Sequence, residues 1–271
     1  MRGRILRNMK NDAALSLPAL TLCELADPGI PGVESFSPFC MKVNRALAVA
    51  GFPYERRFGK HPGEFKKLNP RGQVPVLIAG DEPVADSTEI LRHLIRLGAP
   101  LEPRDAALRG EAWLYEELGD TALNGFLVSA RWTDDETWAA VQNAYFAGMP
   151  SIVRWVLPGR IRSGVLARLQ SRDVLRGGLV AAKERFETLL EQLDARAPTR
   201  GYWCGDALSV ADLGLFPQLQ GMRTALTPAW GASVEARPAL TAWLDRVQAA
   251  TRLDRPRARS ASPNDRARAA A

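Results

Sequence analysis

The chain has 271 residues, of which 46% are hydrophobic and 24% are charged. This composition is typical of a globular protein with one large domain or two modest ones, each able to bury a core. No apolar run reaches the roughly 18 to 20 residues that cross a bilayer, so a membrane-spanning protein is not expected. The net charge of +6 comes from arginine-rich ends around a nearly neutral body, which argues against a basic nucleic-acid-binding surface.

The two ends differ in composition from the body. Residues 1–16 are basic but lack the apolar segment of a secretory signal; we expect a loose overhang, with an amphipathic targeting peptide as the alternative. Residues 252–271 are rich in Arg, Ala, Pro and Ser and predict a basic disordered tail. The three cysteines are widely spaced and there are only two histidines, so we expect neither a disulfide framework nor a metal site.

The first half of the chain alternates strand and helix patterns. Strands are predicted at 20–25, 54–58, 75–79 and 82–85, and helices at 38–50, 64–68 and 87–97. The order β-α-β-α-β-β-α predicts a mixed sheet with helices on both faces. We place this first domain at residues 18–98.

The second half carries only helical patterns. Long helices are predicted at roughly 105–129, 134–148, 151–170, 173–196, 209–225 and 238–251. A short proline-bearing linker precedes them, so residues 105–251 are predicted to form an all-helical domain. Ser209 and Asp212 have the spacing of a capping box, in which the serine caps a helix and the acid reaches back to it.

Ser37 is the first candidate functional residue. It precedes Pro38, which suits the first turn of a helix, so Ser37 is predicted to be the N-cap. The free N–H groups and dipole of a helix start favour an anion, and a serine hydroxyl has one hydrogen to donate to it. Lowering a thiol pKa by about 2 units needs about 2.7 kcal/mol, which a charge-assisted hydrogen bond and a helix start together supply. The alternative is a purely structural cap.

Cys40 lies three residues after Ser37, in the same predicted helical turn. The spacing is that of a redox Cys-x-x-Cys motif whose first cysteine is replaced by serine. Two interpretations stay open: a small buried apolar residue, or a thiol that exchanges with a disulfide.

Two further segments suit a peptide-like ligand with charged ends. Val74 precedes Pro75 at the start of a predicted strand, where an extended backbone is able to pair with a ligand. Asp86 and Ser87 open the next helix, so Ser87 and the N–H groups behind it suit a carboxylate, and Asp86 suits an ammonium group. Each position is also explained by edge-strand or capping geometry alone.

Four motifs together resemble the cytosolic glutathione transferases of the serine type, as found in bacteria. They are Ser-Pro-Phe-x-x-Lys-Val at 37–43, Asn-Pro-Arg-Gly-Gln-Val-Pro-Val-Leu at 69–77, Ala-Asp-Ser at 85–87 and Gly-Asp-x-Leu-Ser-Val-Ala-Asp-Leu at 205–213. The resemblance implies an α/β thioredoxin-like domain with a mixed four-stranded sheet, followed by an all-α domain. It also implies glutathione as co-substrate, a role in detoxification, a homodimer and a cytoplasmic location.

Carried over by position, the resemblance implies that Ser37 stabilises the glutathione thiolate. It implies that the glutathione-binding set consists of Phe39, Lys60, His61, Gln73, Val74, Pro75, Asp86 and Ser87. In that set Gln73 and Val74 hold the glycyl and cysteinyl parts, Asp86 and Ser87 hold the γ-glutamyl end, and Lys60 or His61 lies near the glycyl carboxylate.

Two departures from the family pattern leave alternatives open. The loop 26–34 is long, so Ser35 would be able to replace Ser37, and Cys40 is the third candidate for the residue nearest the thiol. The stretch 131–172 is long and aromatic and resembles metaxin-like relatives, in which the fold serves binding. The main hypothesis is a transferase that conjugates glutathione to a small apolar electrophile. The alternatives are a glutathione-dependent thiol–disulfide oxidoreductase that uses Cys40, and a non-catalytic interaction protein.

Overall fold

The structure is a computed structural model, and it describes residues 17–252 except 27, 31–32, 147–148, 150 and 173. The predicted overhang and nearly all of the predicted basic tail lie outside the described residues.

The first half folds around a mixed four-stranded sheet. Its strands are β1 (Leu20–Leu25), β2 (Glu55–Gly59), β3 (Val76–Ala79) and β4 (Glu82–Ala85), in the order β2-β1-β3-β4. β1 pairs with β2 in parallel, whereas the β1–β3 and β3–β4 pairs are antiparallel. The predicted mixed sheet is therefore confirmed.

Helices α1 (Pro38–Ala50) and α2 (Ser87–Arg96) pack together on one face of this sheet. The other face is covered by a single 3₁₀ turn, Pro62–Phe65, whose Phe65 packs against Cys23 and Val76. This short turn replaces the helix that the sequence pattern predicts around residues 64–68.

Helices make up most of the second half, and an irregular segment at 197–209 joins two of them. Its helices are α3 (Ala106–Leu118), α4 (Asn124–Thr133), α5 (Asp135–Phe146), α6 (Ser151–Arg172), α7 (Gly178–Arg196), α8 (Val210–Met222), α9 (Pro228–Glu235) and α10 (Pro238–Ala250). The predicted helix at 105–129 is interrupted by one π-helical turn, Gly119–Leu123, before it continues as α4. Helix α9 is absent from the sequence prediction.

Helix α8 joins the two halves. It is buried along almost its whole length, and its first turn shares a hydrophobic core with α1 and α2. It also lies unusually close to the π turn, because a Cβ on Gly119 would stand 2.3 Å from the carbonyl oxygen of Gly214. The two glycines thus allow the π turn to lie close against α8.

The predicted domain limits, 18–98 and 105–251, stay a prediction about independent units. Within the described ranges, no helix combines the length and the apolarity that a bilayer span requires.

Candidate active site

A cleft of about 790 Å³ lies where the starts of α1 and α2 meet the loop before β3. The first half supplies most of its wall, and the helical half closes one side. Of the residues predicted from the sequence, the cleft brings together Ser37, Phe39, Gln73, Val74, Pro75, Asp86 and Ser87.

Ser37 is the N-cap of α1, as predicted, and its side chain faces the cleft. Its Oγ accepts a hydrogen bond from the Cys40 N–H at 3.3 Å, and a serine hydroxyl also has one hydrogen that it is able to donate. The first turn of α1 contains no acidic residue, so nothing in it opposes a negative charge at this point.

The two alternatives to Ser37 lie behind it. Ser35 is buried, and its Oγ accepts from the Ser37 N–H at 3.2 Å. Cys40 is fully buried, and burial raises the pKa of its thiol from 9.0 to about 12, although the hydrogen bond with Ser37 opposes the rise. Neither residue lines the cleft, and a protonated buried thiol is a poor nucleophile.

The loop before β3 is shaped by Asn69. Its buried side chain donates to the carbonyl of Gln73 at 3.0 Å and accepts from the Arg71 N–H at 3.2 Å. Gly72 takes a left-handed backbone with φ of 63°, and the Val74–Pro75 bond is cis. Val74 lines the cleft, and its backbone has no hydrogen-bond partner among the described residues.

The start of α2 forms the next part of the wall. Asp86 caps this helix with its own carboxylate, which accepts from the N–H groups of Thr88 at 2.9 Å and Glu89 at 3.3 Å. Ser87 is 5% exposed and lines the cleft. The aspartate therefore satisfies the helix start, while the serine hydroxyl lies beside the ligand space.

Lys60 and His61 lie outside the cleft. Both are solvent-exposed, and their backbone N–H groups donate to the Glu64 carboxylate at the 3₁₀ turn. The basic residue that lines the cleft is Arg71. Arg71 belongs to the Asn-Pro-Arg-Gly motif. Its position between Asn69 and Gly72, which shape the loop, is the sequence signal that could have predicted its place at the cleft.

The helical half contributes three further residues to the cleft: Glu117, Asp120 and Tyr145. Sequence reasoning missed the two acids, whereas Tyr145 belongs to the aromatic stretch 131–172, of which some members were expected to line a site for an apolar substrate. The Tyr145 ring lies 4.3 Å from that of Phe36, between ring centroids, so the two form an aromatic wall. Arg131 holds this wall, since it donates to the Tyr145 hydroxyl at 3.0 Å and to the Phe36 carbonyl at 2.9 Å. Across the described ranges, no three metal-ligating side chains are grouped as a metal site would require.

Two family domains match the chain on either side of this cleft. The glutathione S-transferase N-terminal domain matches residues 36–97, and the glutathione S-transferase C-terminal domain matches residues 139–246. Together they account for more than half of the sequence. The chain belongs to the glutathione S-transferase family.

Curated relatives of this glutathione S-transferase span most of its length. Glutathione S-transferase 4 of Zea mays is 29% identical over 215 residues, which cover 77% of this chain and 82% of the relative. Protein LigF of Sphingobium sp. is 27% identical over 238 residues, with 81% and 87% covered. The chain is thus similar to these enzymes across both halves.

Solved structures support the same fold. The structure of beta-etherase LigF from Sphingobium sp. has a TM-score of 0.56 at 22% identity, and the match covers 85% of this chain and 95% of the LigF chain. A family member from Pseudomonas fluorescens, described with two glutathione bound, has a TM-score of 0.56 at 18% identity, with 86% and 89% covered. The thioredoxin-like domain followed by a helical domain, as the sequence motifs imply, is thereby confirmed.

Proposed function

We propose that this transferase binds glutathione in the cleft, holds its thiol as a thiolate at Ser37, and conjugates it to a small apolar electrophile. One observation carries the proposal: Ser37 caps α1 and lines the cleft, where its hydroxyl group has one hydrogen to donate to a ligand. A thiolate there is stabilised by this hydrogen bond and by the start of the helix.

The rest of the cleft suits the tripeptide in one direction. The free backbone of Val74 offers one donor and one acceptor to the cysteinyl unit, as an added strand would. Ser87 and the start of α2 suit the γ-glutamyl carboxylate. Arg71 suits the glycyl carboxylate, which is the role that the resemblance implied for Lys60 or His61.

The aromatic wall of Phe36 and Tyr145 favours an aromatic electrophile. Because the relative LigF is described as a beta-etherase, an aryl ether is a substrate class to test. In that reaction the thiolate forms an S–C bond as the C–O bond breaks, and the aryl oxide leaves with the electron pair and takes up a proton.

Neither alternative function is favoured by a specific observation. Thiol–disulfide exchange needs an accessible thiolate, whereas Cys40 is fully buried with its pKa raised to about 12. A purely structural module would not need the Ser37 cap, the Val74 segment and the start of α2 to line one cleft.

The test is a calorimetric titration with reduced glutathione, followed by initial rates with a chlorodinitrobenzene and with an aryl ether. We expect binding and turnover by the wild-type protein, a loss of turnover in Ser37→Ala, and nearly unchanged turnover in the matched controls Ser35→Ala and Cys40→Ala. Absence of glutathione binding, or full activity of Ser37→Ala, would contradict the proposal. The implied homodimer stays a prediction, which analytical ultracentrifugation checks.

A further inference from the structure

An apolar stripe is exposed on the first turns of α6. Trp155 is 88% exposed and Ile152 is 81% exposed, and Val156 beside them is exposed as well. Their spacing of i, i+3 and i+4 places the three side chains on one face of the helix. Tryptophan is highly buried on average in soluble proteins, and contiguous exposed apolar side chains are typical of surfaces that meet a partner.

The stripe lies on a segment that α5 holds in place. Pro158, inside α6, has no N–H to donate to the carbonyl of Arg154 one turn earlier. Gln142 of α5 donates to this carbonyl instead, at 3.4 Å. Farther along, Arg162 forms an ion pair with Asp135 of α5 at 2.6 Å. Contacts of α5 with both parts of α6 therefore fix the helix while the stripe stays in solvent.

The surroundings of the stripe are positively charged. Residues 137–172 contain no aspartate or glutamate, and five arginines: Arg154, Arg160, Arg162, Arg168 and Arg172. Of these, Arg154, Arg160 and Arg168 are exposed and have no ion-pair partner among the described residues. Arg160 follows Val156 by four residues, so it flanks the stripe on the helix surface. The positive charge is local, because the body of the chain is nearly neutral.

Apolar side chains flanked by unpaired arginines match the surface of an anionic bilayer. Tryptophan and isoleucine enter the boundary between headgroups and acyl chains, while arginines bind the lipid phosphates. A soluble polyanion would match the arginines but would leave the stripe in water. A second copy docked symmetrically through the same face would bring arginines together with no acid of this segment to neutralise them.

We propose that the first turns of α6 bind the surface of anionic lipid bilayers. Trp155 and Ile152 enter the interface, and Arg154 and Arg160 lie on the headgroups. A helix of this kind lies in the plane of the interface, and its binding is reversible and sensitive to salt. The inference does not depend on the transferase activity, because the stripe and the cleft consist of different residues.

The experiment is co-sedimentation of the full-length protein with lipid vesicles. One set of vesicles is phosphatidylcholine alone, and the other is phosphatidylcholine and phosphatidylserine in equal parts. We expect the wild-type protein to bind the anionic vesicles in low salt. Binding should be at least about tenfold weaker to the neutral vesicles, and similarly weaker in high salt, because the arginines supply part of the affinity.

A variant of the stripe tests its apolar part. Ile152→Ser combined with Trp155→Ser should weaken binding to the anionic vesicles by at least about tenfold, because less apolar surface enters the interface. The matched control is Val180→Ser on α7, which removes an apolar side chain that is also exposed but lies outside the stripe. The control should bind as the wild-type protein does.

A variant of the arginines tests the electrostatic part. Arg154→Gln combined with Arg160→Gln should also weaken binding to the anionic vesicles by at least about tenfold. It should leave the weak binding to neutral vesicles unchanged. The matched control is Arg200→Gln, at an exposed arginine outside α6, which should bind as the wild-type protein does.

Each outcome decides the inference. The basic ends 1–16 and 252–271 are present in every protein compared, so if the stripe variant binds as tightly as the wild-type protein, the ends carry the binding and the inference is wrong. Absence of binding by the wild-type protein, or equal binding to both kinds of vesicle, also contradicts it. Sedimentation velocity without lipid completes the test, because loss of a dimer in the stripe variant would assign the stripe to a second copy of the chain.

Discussion

Helices α1 and α8 both begin at a serine N-cap, yet the two helix starts face different surroundings. At α8, Ser209 is 1% exposed and Asp212 is 0% exposed. The Asp212 carboxylate accepts from the N–H groups of Ser209 at 3.0 Å and Trp203 at 3.1 Å, and from the Trp243 indole at 2.9 Å. This helix start already has its own anion, fixed in the core.

At α1 the helix start has no anion of its own. Its first turn contains no acidic residue, and Ser37 opens onto the cleft. The same local signal, a serine before a helix, thus forms a structural anchor in one place and an anion-binding position in the other. What separates them is whether the chain or a ligand supplies the negative charge.

The largest expected effect on stability comes from the start of α8, where Asp212 supplies the negative charge. Asp212→Ala leaves three buried donors without an acceptor, so we expect the free energy of unfolding to fall by about 3 kcal/mol. Urea denaturation measures this loss, with the exposed Asp206→Ala as the matched control, which should change stability by less than about 0.5 kcal/mol. A loss in Asp212→Ala as small as in the control would contradict the structural role.

The matched pair Ser37→Ala and Ser209→Ala separates the two roles. Each variant loses a cap and should lower the free energy of unfolding by about 1 kcal/mol. Only Ser37→Ala should lower kcat/KM with a chlorodinitrobenzene, by about 100-fold, which corresponds to about 2.7 kcal/mol. Equal activity losses in both variants would mean that stability, rather than the thiolate, explains the effect of Ser37.

Cys40, which is buried in the first turn of α1, is expected to have a smaller and pH-dependent effect on the free energy of unfolding. Burial raises the pKa of its thiol from 9.0 to about 12, so the folded protein keeps a proton that the unfolded chain loses above about pH 9. The stabilisation is complete below the unfolded pKa and is lost as the pH rises toward 12. Near pH 10 the loss should be about 1.4 kcal/mol.

Urea denaturation of wild-type protein and Cys40→Ala at a series of alkaline pH values checks this effect. The variant should lack that part of the decline, while other alkaline groups, such as Tyr54, act equally in both proteins. Parallel pH profiles would show that the Cys40 thiol is accessible to solvent, and would reopen its role in exchange chemistry.

Much of the first domain follows from local sequence signals. The caps Ser37 and Asp86 and the boundaries of α1 were predictable, because a cap, a proline at the first turn and a terminal glycine are each encoded within a few residues. Helix α9 was missed although Thr227 and Pro228 mark its start, since eight residues give little periodicity.

The other side of the cleft was not predictable in this way. Asp120 reaches the cleft through the packing of the helical half, and the π turn that carries it leaves no mark in the apolar pattern. For Tyr145 the sequence indicated only that some aromatic residues of 131–172 line the site, and the packing decides which one does so. Lys60 and His61 were assigned to the cleft by position alone, but their backbone joins the 3₁₀ turn at Glu64 and leaves them in solvent. Tertiary packing decides these positions.

The central claim is that the start of α1 stabilises the thiolate of bound glutathione. Its most direct test is the pKa of the bound glutathione thiol, measured through the ultraviolet absorbance of the thiolate. In the wild-type protein it should lie about 2 units below the free value of about 8.5, and in Ser37→Ala it should return close to that free value. A thiol pKa that is equally low in Ser37→Ala, with glutathione bound in both proteins, would contradict the account.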